Sequence, residues 1–391
     1  MVSKHYDIAI IGGGLSGMSL ACLLGGSGKK VICIDRDIPA TSTKQDLRTT
    51  AISYGSSKIL EEAGIWNGLL KTACPIRDIQ ILDGDSPLLL QFLSAEVGGN
   101  SFGWIVLNAD MRRALLKRMT SFKNITHLAP ANVKDFSRDE KKITIHLEGN
   151  DKITTSLAVG ADGRSSKMRE WMDIPERGWK YNQRAVIFNV AHQNPHHSAA
   201  VEHFWPSGPF AVLPMSDGPK GEHRSSIVFT EHGREEDSLV HYSEAAFQAA
   251  LEARFPAAYG AVKPISKPTA YPLSLIHAGE YTAPRMALVA DAAHGIHPIA
   301  GQGLNLGFRD IKALADLVRN APDPGAPQIL EAYTRARRFD NMSMVAVTDA
   351  LVRLFSNDLP PIRTLRRLGL RAVSRLKPAK RFFMKRAMGG S

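Results

Sequence analysis

Residues 6–36 read YDIAIIGGGLSGMSLACLLGGSGKKVICIDR, and no other stretch limits the fold as strongly. An Ile-rich run of strand length enters a glycine turn. Apolar residues at helical spacing follow, Gly28 closes that helix, and a second apolar run ends on Asp35. Strand, turn, helix and strand within about thirty residues make a βαβ unit, the opening of a Rossmann-like α/β fold. Gly12, Gly14 and Gly17 spell G-x-G-x-x-G. The first glycine permits a tight turn, the second lets backbone approach a pyrophosphate, and the third lets helix and strand pack closely. The helix N-terminus then turns its partial positive charge toward the phosphates. Asp35 follows Gly17 by 18 residues, where a carboxylate can accept hydrogen bonds from ribose hydroxyls. The spacing suits NAD and FAD alike. The motif lies at the extreme N-terminus and has no second copy, which favours FAD.

The chain has 391 residues, 44% hydrophobic and 22% charged, enough for one large domain or two smaller ones. No run of roughly 18 apolar residues is present, so no membrane-spanning helix is expected. The strand pattern begins too early for a signal peptide. Cys22, Cys33 and Cys74 are few and odd in number, as in a reducing compartment without disulfides. Short β-type runs occur at DIQIL, SFGWIVL and KKITIHL, and again between about 184 and 272; SEAAFQAALEARF reads as a serine-capped helix. Beyond 291 the pattern is helical to about 356, with a loop at Pro322, Pro324 and Pro327. The expected division is an FAD-binding domain from 1–75, 105–175 and 275–350, interleaved with a β-sheet substrate domain from 76–104 and 176–274. A basic C-terminal helical segment, 351–391, completes it.

Charge is concentrated at one end. Net charge is +11, yet residues 353–391 hold eleven Lys and Arg against one Asp, and the other 352 residues hold 38 against 37. A nucleic-acid enzyme would carry its basic residues along a groove or face, so no nucleic-acid partner is expected. In PIRTLRRLGLRAVSRL, Ile362, Leu365, Leu368, Val373 and Leu376 recur at roughly helical spacing among five arginines. That pattern suits either an anionic membrane surface or a packed terminal helix with a solvated basic face.

Two further strand ends carry aspartates: VGADGRSSKMRE at 159–170 and ALVADAAHGIHPIAGQGLNLGFRD at 287–310. An aspartate at the carboxyl end of a strand in an α/β sheet lies where ligands bind. Gly301-Gln302-Gly303 leads into a helix near Leu304, whose unpaired N–H groups and dipole favour negative charge. His294 and His297 are three apart, but no third ligand is spaced with them, so no metal is expected. His192, His196, His197 and His203 read as a polar loop. There is no G-x-S-x-G nucleophile elbow. Phe204, Trp205, Phe210, Pro214 and Phe229 offer apolar wall material for a substrate.

Together GGGLSG, LRTTAIS, GADGRSSKMRE and DAAHGIHPIAGQGLNLGFRD resemble the class A flavoprotein monooxygenases of the p-hydroxybenzoate hydroxylase fold. YTRARRFDNMSMVAVTDALVRLFSN and RRLGL narrow the resemblance to the ubiquinone-biosynthesis hydroxylases, over about residues 6 to 389. The resemblance implies FAD contacts from Gly12, Gly14 and Gly17 (pyrophosphate), Asp35 (ribose), Arg48 and Arg112 (phosphate, ribose or ribityl) and Asp162 (pyrophosphate). It also implies Asp291 on the ribityl chain, with Pro298, Gly301, Gln302, Gly303, Leu304 and Asn305 lining the flavin ring. Asp35 stands where that family usually has Glu, and Ala290 where it usually has Gly. The implied reaction uses NAD(P)H and O2 to hydroxylate the ring of a prenylated phenol or quinone precursor. A flavin hydroperoxide carries the chemistry, and no catalytic side chain is nominated. Implied partners include other ubiquinone-biosynthesis proteins, and the implied location is cytoplasmic with peripheral contact to the inner membrane. Two alternatives remain at this point: a non-catalytic FAD-binding subunit organising a membrane-associated complex, and a flavin reductase of isoprenoid double bonds.

Overall fold

The computed structural model describes residues 4–39, 46–86, 88–357 and 359–389. The βαβ unit forms as its pattern predicts: strand Lys4–Ile11, helix Leu15–Leu23, strand Val31–Ile34, the strands paired in parallel from Ile8↔Val31 to Ile11↔Ile34. Lys152–Gly160 pairs in parallel on the other side of the first strand, with Gly160 opposite Ile11, and Met286–Leu288 lies parallel beyond it. Four strands therefore end at one edge, and Gly12–Gly14, Asp35, Asp162 and Asp291 all emerge there. Ile8, Ile10, Val31, Cys33, Leu157 and Val159 are fully buried, because elements cover both sheet faces and strands of this kind carry unbroken apolar runs. Met18, Met111, Leu115, Phe308 and Ile311, from helices Leu15–Leu23, Asn108–Met119 and Gly303–Arg319, share that core.

A second, nine-stranded sheet is built on Glu176–His192, His223–His232, Gly208–Met215, Ala199–Trp205 and Asp78–Asp83. Period-2 alternation divides its side chains between two faces. Val186, Phe188, Val201, Phe210, Val212 and Phe229 pack with Phe247 and Leu251 of helix Glu244–Glu252. The opposite face carries Ala200, Glu202 and Phe204, and Phe204 meets Ile299 and Phe355. Of the five residues expected to wall a substrate, Phe204 alone is on that inner face. Phe210 and Phe229 belong to the helix-covered core, Trp205 packs against it, and Pro214 shares its side by alternation. The expected histidine loop is corrected as well. His192 ends one strand, with Nε2 bonded to Ser225 Oγ at 2.9 Å, and His203 lies within another, with Nε2 bonded to Gly84 O at 2.9 Å.

The chain continues in helices Pro327–Phe355, Pro360–Arg375 and Lys377–Ala387. Among the described residues no helix is long and apolar enough to cross a membrane. The last two helices do not present a single apolar stripe. Ile362 and Val373 turn inward, whereas Leu365 (68% exposed), Leu368 (56%) and Leu376 (58%) turn outward. Arg366 shares the inner face, as the 3.6-residue period requires. It donates through Nε and Nη2 to Asp83 Oδ1 at 3.1 and 2.5 Å, and Arg367 Nε donates to Oδ2 at 2.8 Å. Asp83 is fully buried, so these two arginines neutralise it and are not free surface charges.

Candidate flavin site

Each glycine of the first loop has a separable reason. Gly12 has φ +110°, and a methyl there would overlap the Ala161 carbonyl. A methyl at Gly17 would overlap the Gly12 carbonyl, which fixes how closely helix and turn pack. Gly14 is different: nothing lies within 4 Å of where its methyl would be. Its open face lies at the start of helix Leu15–Leu23, whose first N–H groups lack helical partners. A pyrophosphate fits there by geometry and by charge. The Asp35 carboxylate lies against Gly13, and Arg112 Nη1 donates to Gly13 O at 3.2 Å. Arg112 Nε is buried and has no partner among the described residues. Such an orphan donor is costly unless a ligand oxygen meets it.

Two residues expected in this group are engaged elsewhere. Asp162 presents backbone to Gly12, but its carboxylate accepts from Ser166 Oγ at 2.6 Å and Met168 N at 3.1 Å, supporting the start of helix Lys167–Trp171. Arg48 forms two 2.7 Å bonds to Asp46 and lies over the Tyr271 ring. Burial raises the Asp46 pKa and the bonds from Arg48 outweigh it, leaving it lowered.

The second half of the site follows strand Met286–Leu288. Ala290 takes φ +53°, a left-handed conformation that suits the glycine usual in the resembling family. Its methyl packs toward Gly307. Asp291 is half exposed, with Arg164 Nε 3.9 Å away. Beneath this turn lies Asp310, the last residue of the stretch 287–310. Asp310 is fully buried and accepts from Ala290 N at 3.0 Å, Arg337 Nε at 2.8 Å and Asn341 Nδ2 at 3.0 Å, and pairs with His294 Nε2 at 2.5 Å. Burial pushes its pKa up, but His294 and Arg337 outweigh burial and hold it at about 2.

His297 does not join His294 in a ligand pair. Its Nδ1 accepts from Ile299 N at 3.0 Å, Tyr181 meets its ring edge-on, and burial followed by the Arg164 charge lowers its pKa to about 4. Among the described residues no group of three or more His, Cys, Asp or Glu could hold a metal. Pro298 begins a short turn, Pro298–Ala300, and Gln302 caps helix Gly303–Arg319. The left-handed glycine is Gly301, with φ +61°. Gly303 is helical, and a methyl on it would find only Ile296, at 3.9 Å, so its use is open space and not a special backbone angle. Leu304 packs on the nucleotide-side core. Asn305 is buried and clips the loop: Oδ1 accepts from Ser53 N at 2.9 Å, and Nδ2 donates to Ala51 O and Gly301 O at 2.8 and 2.9 Å. The free N–H groups of this helix start favour the negative charge that a reduced flavin carries on its pyrimidine side.

Comparison with known proteins agrees with this geometry. The family described as FAD binding domain matches residues 5–348. Ubiquinone hydroxylase UbiL of Rhodospirillum rubrum is 43% identical, over 99% of this chain and 90% of its own length. The 3-demethoxyubiquinol 3-hydroxylase of Escherichia coli is 33% identical over the whole of both chains. The mouse mitochondrial ubiquinone biosynthesis monooxygenase COQ6 is 31% identical over 97% of this chain and 90% of its own. The fold matches p-nitrophenol 4-monooxygenase PnpA of Pseudomonas putida with a TM-score of 0.82, at 17% identity over 99% of each chain. With FAD as its cofactor, this chain belongs to the ubiquinone-biosynthesis hydroxylases, a branch of the FAD-dependent monooxygenases.

Proposed function

We propose that this protein uses NAD(P)H and O2 to hydroxylate the ring of a prenylated phenol in ubiquinone biosynthesis. One observation carries the reading: the turn that leads into helix Gly303–Arg319 sets Ile299 against Phe204 on the inner face of the second sheet. FAD, when bound and reduced, supplies the activated oxygen. The protein does the rest. The Gly14 face holds pyrophosphate, Asp35 the ribose and Asp291 the ribityl chain. Arg112 Nε gives its spare donor to a cofactor oxygen, and the helix start steadies charge on the ring. Ile299, Phe204 and Phe355 keep water from the reacting carbon. In this reading the nucleotide body comprises 1–75, 105–175 and 275–350, and the substrate layer 76–104 and 176–274. Purified protein supplied with a short-chain prenylphenol and labelled O2 should consume NAD(P)H and place label in the product. Reductant consumption with no labelled product would sink the reading and favour the double-bond reductase; no consumption at all would favour the non-catalytic subunit.

The tail extends this reading to location. We infer a cytoplasmic protein with peripheral contact to the inner membrane through helices Pro360–Arg375 and Lys377–Ala387. Leu365, Leu368, Leu376 and Phe382 are exposed beside the exposed cations Arg371, Arg375, Lys377 and Arg381. Cations near an anionic surface contribute about 1 kcal/mol each. Changing these four to Gln should remove about 4 kcal/mol of attraction at most. Wild-type binding to anionic vesicles should weaken as salt shortens the screening length from about 10 Å at 0.1 M to about 3 Å at 1 M. Equal sedimentation of wild type and variant with the vesicles would show that the tail only packs.

A further inference from the structure

Glu202 is the one acid on the inner face whose carboxyl has no hydrogen bond or ion pair among the described residues. It sits in strand Ala199–Trp205 between Ala200 and Phe204, all three on the side away from helix Glu244–Glu252. Both flanking residues touch the flavin loop's surroundings. Phe204 packs with Ile299, and Ala200 clusters with Leu213 and with Ala51, whose methyl lies 3.3 Å from where a methyl on Gly301 would be. Across the strands its neighbours are Ala211 and Ile81. On the Ala200 and Ala211 side only methyl groups stand beside the carboxyl.

Burial alone pushes the Glu202 pKa up to about 8. The side chain nevertheless keeps partial solvent contact. The carboxyl is thus desolvated and still reachable from solvent. On the same face, paired residues Ser226, two strands from Glu202, and Asn189, three strands from it, are buried with Oγ and Oδ1 unpartnered among the described residues. Across the sheet Ser226 stands about 10 Å and Asn189 about 14 Å from Glu202, a span that a substituted ring bridges with side chains reaching from either side. One edge therefore offers a base, and the other a donor and an acceptor.

We propose that Glu202 is the base that takes the phenol proton of the substrate, while Ser226 and Asn189 hold an oxygen substituent at the far edge of the ring. The assignment rests on the ring-hydroxylation reading above. The proton passes from the phenol oxygen to the Glu202 carboxylate, and the phenolate pushes electron density onto a ring carbon; that carbon would take a hydroxyl from the oxygen that reduced FAD supplies as the O–O bond breaks, the second oxygen leaving as water with the two electrons drawn from NAD(P)H. The resulting dienone then loses its ring C–H proton to water as its carbonyl oxygen regains the proton from Glu202. The carboxylate is restored and the phenol re-forms.

The other titratable groups packed around this face are Asp83 with Arg366 and Arg367, Tyr181 with Asp349, Arg353, and His297; none bonds to Glu202. Burial raises the Tyr181 pKa, and that of His297 is lowered to about 4, so neither titrates near pH 8. The test compares wild type, Glu202→Gln and Glu202→Asp as FAD holoenzymes on a short-chain prenylphenol. Wild-type kcat/KM should rise with pH through a pKa near 8. Glu202→Gln should keep its flavin and its KM, lose roughly 10²–10⁴-fold in kcat, and lose that limb; Glu202→Asp should recover part. A ring-fluorinated phenol already ionised at the assay pH should bring the Gln variant to within a few-fold of wild type, which a merely structural role would not do. Independent of turnover, the Gln variant should melt above wild type at about pH 9, with the gap narrowing toward about pH 5, because an acid with a raised folded-state pKa loses stability as it ionises. Unchanged kcat, or a fluorophenol that rescues nothing, overturns the assignment. If wild type makes no hydroxylated product, the functional reading itself has failed.

Discussion

Gly14→Val should leave the protein folded and unable to keep its flavin. Gly14 has φ −70° and ψ −177°, extended backbone that any residue adopts, and nothing stands within 4 Å of the added Cβ. Losing a glycine at a compatible angle stabilises by roughly 0.4–1 kcal/mol. The melting temperature of the cofactor-free protein should therefore hold or rise slightly. The new side chain instead fills the space assigned to the pyrophosphate. Overpacking costs about 1–3 kcal/mol, which is about 5- to 150-fold in FAD affinity. Gly17→Val is the contrast, because its Cβ overlaps backbone and the fold itself should weaken. Equilibrium dialysis and thermal melting on both variants check this. A Gly14→Val protein with wild-type FAD affinity would move the cofactor off that face.

Asp310→Ala should damage fold and cofactor site together. It removes the acceptor shared by Ala290 N, His294, Arg337 and Asn341, all buried. Breaking a buried charge pair costs about 3–5 kcal/mol; the lower figure applies because Arg337 still reaches Asp340 at 2.8 Å. The loop carrying Asp291 loses its anchor, so flavin retention should fall with stability. The acid titration has a defined sign. The folded-state pKa is depressed from 3.8 to about 2, so this stabilisation is full above about pH 4 and is lost as pH falls toward 2. Urea melts across that window, with Asp310→Ala as reference, should show wild type converging on the variant. A constant difference down to pH 2 would count against the network.

The glycine loop was legible because its constraints are local. Turn, helix start and strand lie within thirty residues, and each glycine meets its neighbour through short-range backbone sterics. Asp310 was harder to read. It stands in the quoted motif, but its role depends on Arg337 and Asn341, a helix and a loop further along, and no spacing rule links them. Asn305 stands in the same motif, and its side-chain partners Ala51 and Ser53 lie more than 250 positions earlier, beyond the reach of any local pattern. The inner and outer faces of the second sheet posed a different problem. Alternation shows that Phe204 and Phe210 differ in side across their strand pair only once the register His203↔Phe210 is known. Which side faces a ligand then depends on where helix Glu244–Glu252 docks.

The double arginine grip on Asp83 makes the tail a keel and not a leash. A basic arm on a flexible leash would let its protein tumble above a bilayer. Helix Pro360–Arg375 is instead clamped at mid-length, with Arg366 over the Phe355 ring and Leu370 beside Phe204. Its outward leucines and its inward wall are opposite sides of one rod about 10 Å thick. Any bilayer that receives the outer side therefore finds the Phe204 face of the second sheet one rod-width away, always in the same attitude. A long-chained molecule could then be handled by its head alone while its chain stays in oil.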